Sequence, residues 1–365
     1  MRTGRGFANP VVRGALLTAF GVLLAGGNPQ KAIAQTSETY TTFSEWCANK
    51  ERISANARYT VEVLLERAET QDCDAAEDRL ATLTTLSIGS PSRNYEIQDL
   101  APLSSLNNLE ELTIHSQELK DITPLATLTN LQTLYLFGHH EAVKTIDITP
   151  LAKLINLKKI RIWSIKIEDL APLTKLKNLE TLNLLGNQIE NIDSLSSLTN
   201  LTSLYIWVNK VKNITPLSRL TNLTSLALTK NQIQDITPLS GLTNLTSLSL
   251  DENQIQNISP LSNLTNIEGI SLHGNPIENF MLLAKSNNLT TLYLPGDEGV
   301  ETVCYYNNDS KVDCKLQLLA YLFSRVWTVH QKLYVVSSLC LFGLSIIIFF
   351  KTQKGEEIPN SQPKN

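Results

Sequence analysis

Positive charge is not in surplus in this sequence. Its 365 residues carry 31 Lys and Arg against 35 Asp and Glu, a formal net charge of −4. A nucleic-acid binder concentrates Lys and Arg on one face, so that partner class is set aside. Motifs that carry catalysis are also absent. There is no GxSxG, no HExxH, no GxxxxGK followed by Ser or Thr, and no glycine-rich dinucleotide fingerprint. Neither an enzyme nor a cofactor is expected. Histidine is scarce, and the densest potential ligand group is His139, His140 and Glu141. Adjacent side chains in an extended loop diverge and no second cluster accompanies them, so no metal site is expected. Cysteines stand at 47, 73, 304, 314 and 340. Their spacing without nearby histidine fits no usual zinc pattern. In an oxidising compartment, Cys47 with Cys73 and Cys304 with Cys314 form two local disulfides. What the chain has in quantity is apolar residues, 42% against 18% charged, enough for a sizeable core.

Both ends differ from the middle. Arg2, Arg5 and Arg13 precede or enter the apolar stretch GALLTAFGVLLAGG, and AIA follows at Ala32 to Ala34. These are the three regions of a secretory signal peptide over residues 1–34, with cleavage expected after Ala34. No cysteine stands there, so lipid attachment is not expected. Near the other end, LYVVSSLCLFGLSIIIFF runs 18 residues from Leu333 to Phe350 without a charge, close to the length of one transmembrane helix. Lys351 and Lys354 follow it and Arg325 and Lys332 precede it, so flanking charge does not decide orientation. The export signal does. The middle of the chain is expected outside the cytoplasm, at the cell surface or in the periplasm, and residues 351–365 form a short cytoplasmic tail.

The middle is periodic. Aligned on LxxLxL, then Asn, Ile, Ile and Pro-Leu, units start at Leu83, Leu109, Leu131, Leu157, Leu179, Leu201, Leu223, Leu245, Ile267 and Leu289. Seven of the spacings are 22 residues and two are 26, the extra residues falling in SPSRNYE and HHEAVK. Such insertions read as loops that leave the phase intact. One unit cannot bury its own leucines, but stacked units share a continuous core. In NLTSLSLDENQIQNISPLSNLT, Leu248 and Leu250 alternate as a short strand, Asn253 marks the turn, and Ile255, Ile258 and Leu261 fill the interior. Pro260 then suits the first turn of a short helical piece on the returning side. Asn187, Asn209, Asn231, Asn253 and Asn275 recur at one position, where a buried amide satisfies neighbouring backbone. The ladder is broken at Gln117 and Ile165.

Units such as NLTSLALTKNQIQDITPLSGLT resemble the 22-residue leucine-rich repeats of the internalin family of bacterial surface proteins. The resemblance implies an α/β solenoid, curved, with a parallel β-sheet on the concave side, and binding of host or partner proteins on that face. No LPxTG-type wall-anchoring signal accompanies the repeats. The expected organisation is a helical N-terminal cap over 35–82, about ten repeats over 83–299, a C-terminal cap and juxtamembrane segment over 300–332, and one transmembrane helix over 333–350. In the first cap Val61, Val63, Leu64, Leu65, Ala75, Ala76 and Leu80 have helical spacing. Cys47 and Cys73 staple its helices, and Cys304 and Cys314 close the far end. The stretch LQLLAYLFSRVW can lie on the bilayer.

Positions two, four and six residues after each first leucine point away from the core. They read Thr133, Tyr135, Phe137; Lys159, Arg161, Trp163; Thr181, Asn183, Leu185; Ser203, Tyr205, Trp207, and later Ser225, Ala227, Thr229, then Ser247, Ser249, Asp251. Five aromatics and two cations converge on a face that should be polar, the mark of a recognition site. The expected partner-binding residues are therefore Tyr135, Phe137, Lys159, Arg161, Trp163, Tyr205 and Trp207, for a protein or glycan ligand. Lys159 and Arg161 suit an acidic or carbohydrate-bearing one. The other expectation is a scaffolding component of a membrane complex that works through its span and juxtamembrane stretch. Asn-x-Thr sequons at Asn200, Asn222, Asn244 and Asn288 come with the repeat phrase and carry little information.

Overall fold

Three short helices come first, and each begins on a side chain that caps it. In the computed structural model, which describes residues 40–89, 97–138, 145–277, 283, 289–295 and 300–304, α1 spans Phe43–Ala48, α2 Ala55–Arg67 and α3 Cys73–Ala81. Thr42 and Glu45 form a reciprocal capping box. Ser54 accepts from the Ala57 N–H, and Asp72 from that of Ala75, which satisfies donors that no helical carbonyl reaches. Helix α2 buries Ala57, Thr60, Val61, Leu64 and Leu65, the i, i+3, i+4, i+7, i+8 stripe of a helix packed on one side. A disulfide joins Cys47 to Cys73 with Cα atoms 5.6 Å apart, linking α1 to α3. The Thr60 hydroxyl donates to the Asp99 carbonyl at 2.7 Å, tying this cap to the first repeat.

The strands follow at one per repeat: β1 (Thr85–Ile88), β2 (Glu111–His115), β3 (Thr133–Phe137), β4 (Lys159–Trp163), β5 (Thr181–Asn183) and β6 (Ser203–Tyr205). Then come β7 (Ser225–Ala227), β8 (Ser247–Ser249), β9 (Gly269–Ser271), β10 (Thr291–Pro295) and β11 (Val300–Cys304). They form one sheet in sequence order. The first ten strands are parallel, and β11 turns back antiparallel on β10. Leu86 pairs with Leu112 and Leu134 with Ile160, so both 26-residue units stay in phase. Most of their inserted residues, including His139, His140 and Glu141, lie outside the described residues. Short 3₁₀ turns such as Thr215–Arg219 return the chain on the other side, and in seven of the eight described a proline stands in the first turn.

Two polar ladders hold successive repeats in register, and a third sets the turn within each. In the buried one, Asn209 accepts from the N–H groups of Asn187 and Ile189 at 3.2 and 2.9 Å. It donates to the carbonyls of Leu184 and Trp207 at 2.8 and 2.9 Å. Asn187, Asn231, Asn253 and Asn275 bridge in the same way. Where the ladder is broken, Gln117 is exposed and Ile165 buried. In the second ladder Asn200 donates to the Lys177 carbonyl, Asn222 to that of Thr199 and Asn244 to that of Thr221, at 2.8 to 2.9 Å. The asparagines of those sequons thus have a structural role. In the third, Asp99, Asp121, Asp147, Asp169, Asn191, Asn213, Asp235 and Asn257 each accept the N–H two residues on and set up the next 3₁₀ turn.

Among the described residues no helix is long and apolar enough to cross a membrane. The expected signal peptide, the Cys304–Cys314 pairing, the juxtamembrane stretch, the span over 333–350 and the tail lie outside the described residues.

Candidate functional site

The exposed face of the sheet is ruled into rows, because parallel strands in register set equivalent residues side by side at roughly 4.8 Å. One row runs Thr113, Tyr135, Arg161, Asn183, Tyr205, Ala227. The row beside it, at the C-terminal ends of the strands, begins His115, Phe137, Trp163. It continues through Leu185 and Trp207, whose carbonyls accept from the N–H groups of Ser164 and Gly186 at 2.9 Å. From Phe137 to Trp207, four consecutive repeats therefore place an aromatic or large apolar side chain along one edge. The row then turns polar at Thr229, Asp251 and His273. There Asp251 accepts from the Ser271 hydroxyl and from the His273 N–H.

The aromatics do not form one patch. Phe137 packs edge-on against Trp163 with ring centres 5.0 Å apart, and stacks on His115 at 4.6 Å. Tyr135 lies 6.3 Å from Phe137. Gly138, directly after Phe137, lets the next turn approach, since an added Cβ would collide with the Ser164 carbonyl oxygen. Tyr205 and Trp207 form a second pair, edge-on at 6.1 Å, and the Tyr205 hydroxyl lies 3.1 Å from that of Ser225. The fifth repeat, with Asn183 and Leu185, separates the two groups, so the expected single convergence is corrected to two clusters with Leu185 between them. Ala227, expected to face solvent, is buried, because so small a side chain is covered by those on either side of it.

Arg161 sits within the first cluster. Its guanidinium lies 4.9 Å from the Tyr135 ring centre and 5.2 Å from that of Trp163, within cation–π range of both. Lys159, two residues earlier on the same face, is exposed. The Trp163 indole N–H is buried without an acceptor. Partial burial holds the His115 imidazole below its ordinary pKa, so it stays neutral against Phe137 near neutrality.

Two contributors were not singled out in sequence. His115 obeys the same spacing rule, one repeat before the patch was read. Val208 follows Trp207 at φ 54°, a left-handed conformation that a β-branched side chain rarely adopts. Gly186 and Gly274 hold the equivalent position in other repeats with φ of 68° and 69°. Trp207, Val208 and Ile155 are the exposed large apolar side chains among the described residues, at 39%, 49% and 56%. The first two are consecutive and extend the aromatic row onto the turn. No metal-holding group of His, Cys, Asp and Glu occurs among the described residues.

A family model described as Leucine Rich repeats (2 copies) matches residues 155–197 and 199–241. No curated protein matches the chain. Among solved structures, internalin C2 of Listeria monocytogenes is 29% identical over 64% of this chain and 91% of its own, with a TM-score of 0.47. An internalin, inlF, of the same organism is 27% identical over 71% and 93%, with a TM-score of 0.43. A plant peptide hormone receptor, RGFR1 in complex with RGF2, is 19% identical over 60% and 40%, with a TM-score of 0.48. The leucine-rich-repeat reading is borne out over the residues that the family model matches.

Proposed function

We propose that this chain is a membrane-anchored extracytoplasmic binding module that recognises a protein partner through the concave face of β3 to β6. One observation carries the reading. The stripe from Phe137 to Trp207 is aromatic or large apolar in each of the four repeats it crosses, whereas in later repeats the same row holds Thr229, Asp251 and His273. A half-exposed run of rings in otherwise regular repeats contributes little that a Thr or Ser would not, but it suits recognition, where Trp and Tyr anchors dominate binding energy. The anchor and the outward orientation rest on the apolar run over 333–350 and the leader-like residues 1–34.

The test replaces Tyr135, Trp163, Tyr205 and Trp207 together by alanine in the full chain. Native membranes are crosslinked before solubilisation, and species joined to the chain are compared with wild type. A crosslinked species should disappear while the variant still melts cooperatively; undiminished capture would sink the reading. A partner that survives protease but not glycosidase treatment would make the ligand a glycan. Chain ended after Tyr321 should leave the membrane fraction, and its retention there would overturn the anchor.

A further inference from the structure

Arg161, like Lys159 beside it, is a charge of this face with no counter-ion among the described residues. Its guanidinium is placed by two rings, yet among the described residues it forms no hydrogen bond or ion pair. Its register neighbours are Tyr135 and Asn183, and Lys159 and Trp163 flank it along the strand. The nearest carboxylates on the face, Glu111 and Asp251, belong to repeats two and four strands away, roughly 10 and 19 Å at ordinary strand spacing. Ring contacts use the flat faces of a guanidinium and leave its edge of N–H donors unspent. A planar fork already held in place loses little rotamer freedom on pairing, so it is preorganised for a bidentate carboxylate.

Resting on the binding-module reading, we infer that the partner presents an acidic segment. An Asp or Glu side chain docks on the guanidinium edge of Arg161, and apolar side chains of the same segment lie along Phe137, Trp163, Leu185 and Trp207. Lys159 adds long-range attraction on one side of the pair. Charge complementarity selects this occupant, because an apolar or basic segment would leave Arg161 covered and unpaired, which costs more than it gains. From Arg161 to Trp207 is two strand steps, roughly 10 Å, so the acid and its apolar neighbour are expected within a few residues of each other.

Short random peptides displayed on phage, selected against the full chain in detergent, test this. Wild type should enrich Asp or Glu beside aromatic or large aliphatic residues. Against the selected peptides, Arg161→Gln should weaken binding by about tenfold or more. Arg161→Lys should restore only part, because an ammonium keeps the charge but not the fork. Replacing the peptide's acid by its amide should cause no further loss in Arg161→Gln, and thermal melting should show that variant folded. Peptides that need Trp207 but carry no acid, or that bind Arg161→Gln as tightly as wild type, overturn this inference and leave the binding-module reading standing. If no selected peptide depends on Trp163, Tyr205 or Trp207, both fail.

Discussion

Replacing Asn209 by alanine tests whether the buried asparagine ladder holds the sheet, and with it the rim that carries Trp207. The Asn209 amide accepts two N–H groups and donates to two carbonyls, with only 8% of the residue exposed. Alanine leaves the N–H groups of Asn187 and Ile189 buried without acceptors, at about 1–3 kcal/mol each. The Trp207 carbonyl suffers less, since it still accepts from the Gly186 N–H at 2.9 Å. The sum is roughly 2–6 kcal/mol, or on the order of 5–20 °C in melting temperature for a domain of this size. Asn200 is the internal control. It makes one 2.8 Å bond at the surface, where water replaces it, so Asn200→Ala should cost about 0.5–1 kcal/mol. Urea unfolding followed by circular dichroism on both variants gives the contrast. Equal costs, or an Asn209→Ala cost below that of Asn200→Ala, would refute the assignment of the buried ladder as the register device.

Val208→Asn should raise stability by roughly 1 kcal/mol, because Asn tolerates the left-handed conformation that strains valine; the same variant should weaken partner capture, and a gain in both would show that the valine is not a contact. The Thr237 hydroxyl, and then its backbone N–H, hold the Asp235 carboxyl below its ordinary range, as Thr149 does for Asp147. Their contribution is present above the unfolded carboxylate pKa and lost as pH falls through the lower folded one. Asp235→Asn, a residue already used at Asn191, Asn213 and Asn257, should flatten the fall of melting temperature below about pH 4, and an unchanged slope would remove Asp235 from the acid response. Cys47→Ser with Cys73→Ser releases a loop closed over 26 residues, worth about 3.5 kcal/mol by chain entropy; calorimetry showing no loss would mean that the cap stands without its link.

The solenoid was legible because its core is a period. Leu112, Leu134, Ile160, Leu182, Leu204 and Leu226 meet across adjacent strands as the spacing requires, and insertions between them cannot shift that register without emptying the core. Which side of the sheet the aromatics share was legible for the same reason, since side chains alternate along a strand. How they group was not. The division into two clusters comes from Asn183 and Leu185 in a single intervening repeat, and the burial of Ala227 from its own small size. The aspartate and asparagine turns before each 3₁₀ piece are readable in principle, because Asx residues recur two before Thr, Ser, Ala or Asp at the repeat period.

Repeat architecture makes exceptions interpretable, because each position has its own controls in the neighbouring units. At the turn after the strand, glycine or a flexible polar residue satisfies the backbone, yet the sixth strand is followed by a strained, half-exposed valine. In the middle row, Thr113, Asn183 and Ser249 are neutral, yet the fourth strand has an arginine that no side chain answers. Neither residue improves the fold: one stores strain, and the other leaves a charge without a counter-ion among rings. Both stand in repeats whose outer edge is aromatic, at Trp163 and Trp207, two strand spacings apart. Under the proposed binding function, local rules broken together and in one place fit a surface shaped by a partner, and the chemistry of the two exceptions, one apolar and one cationic, describes what that partner would present.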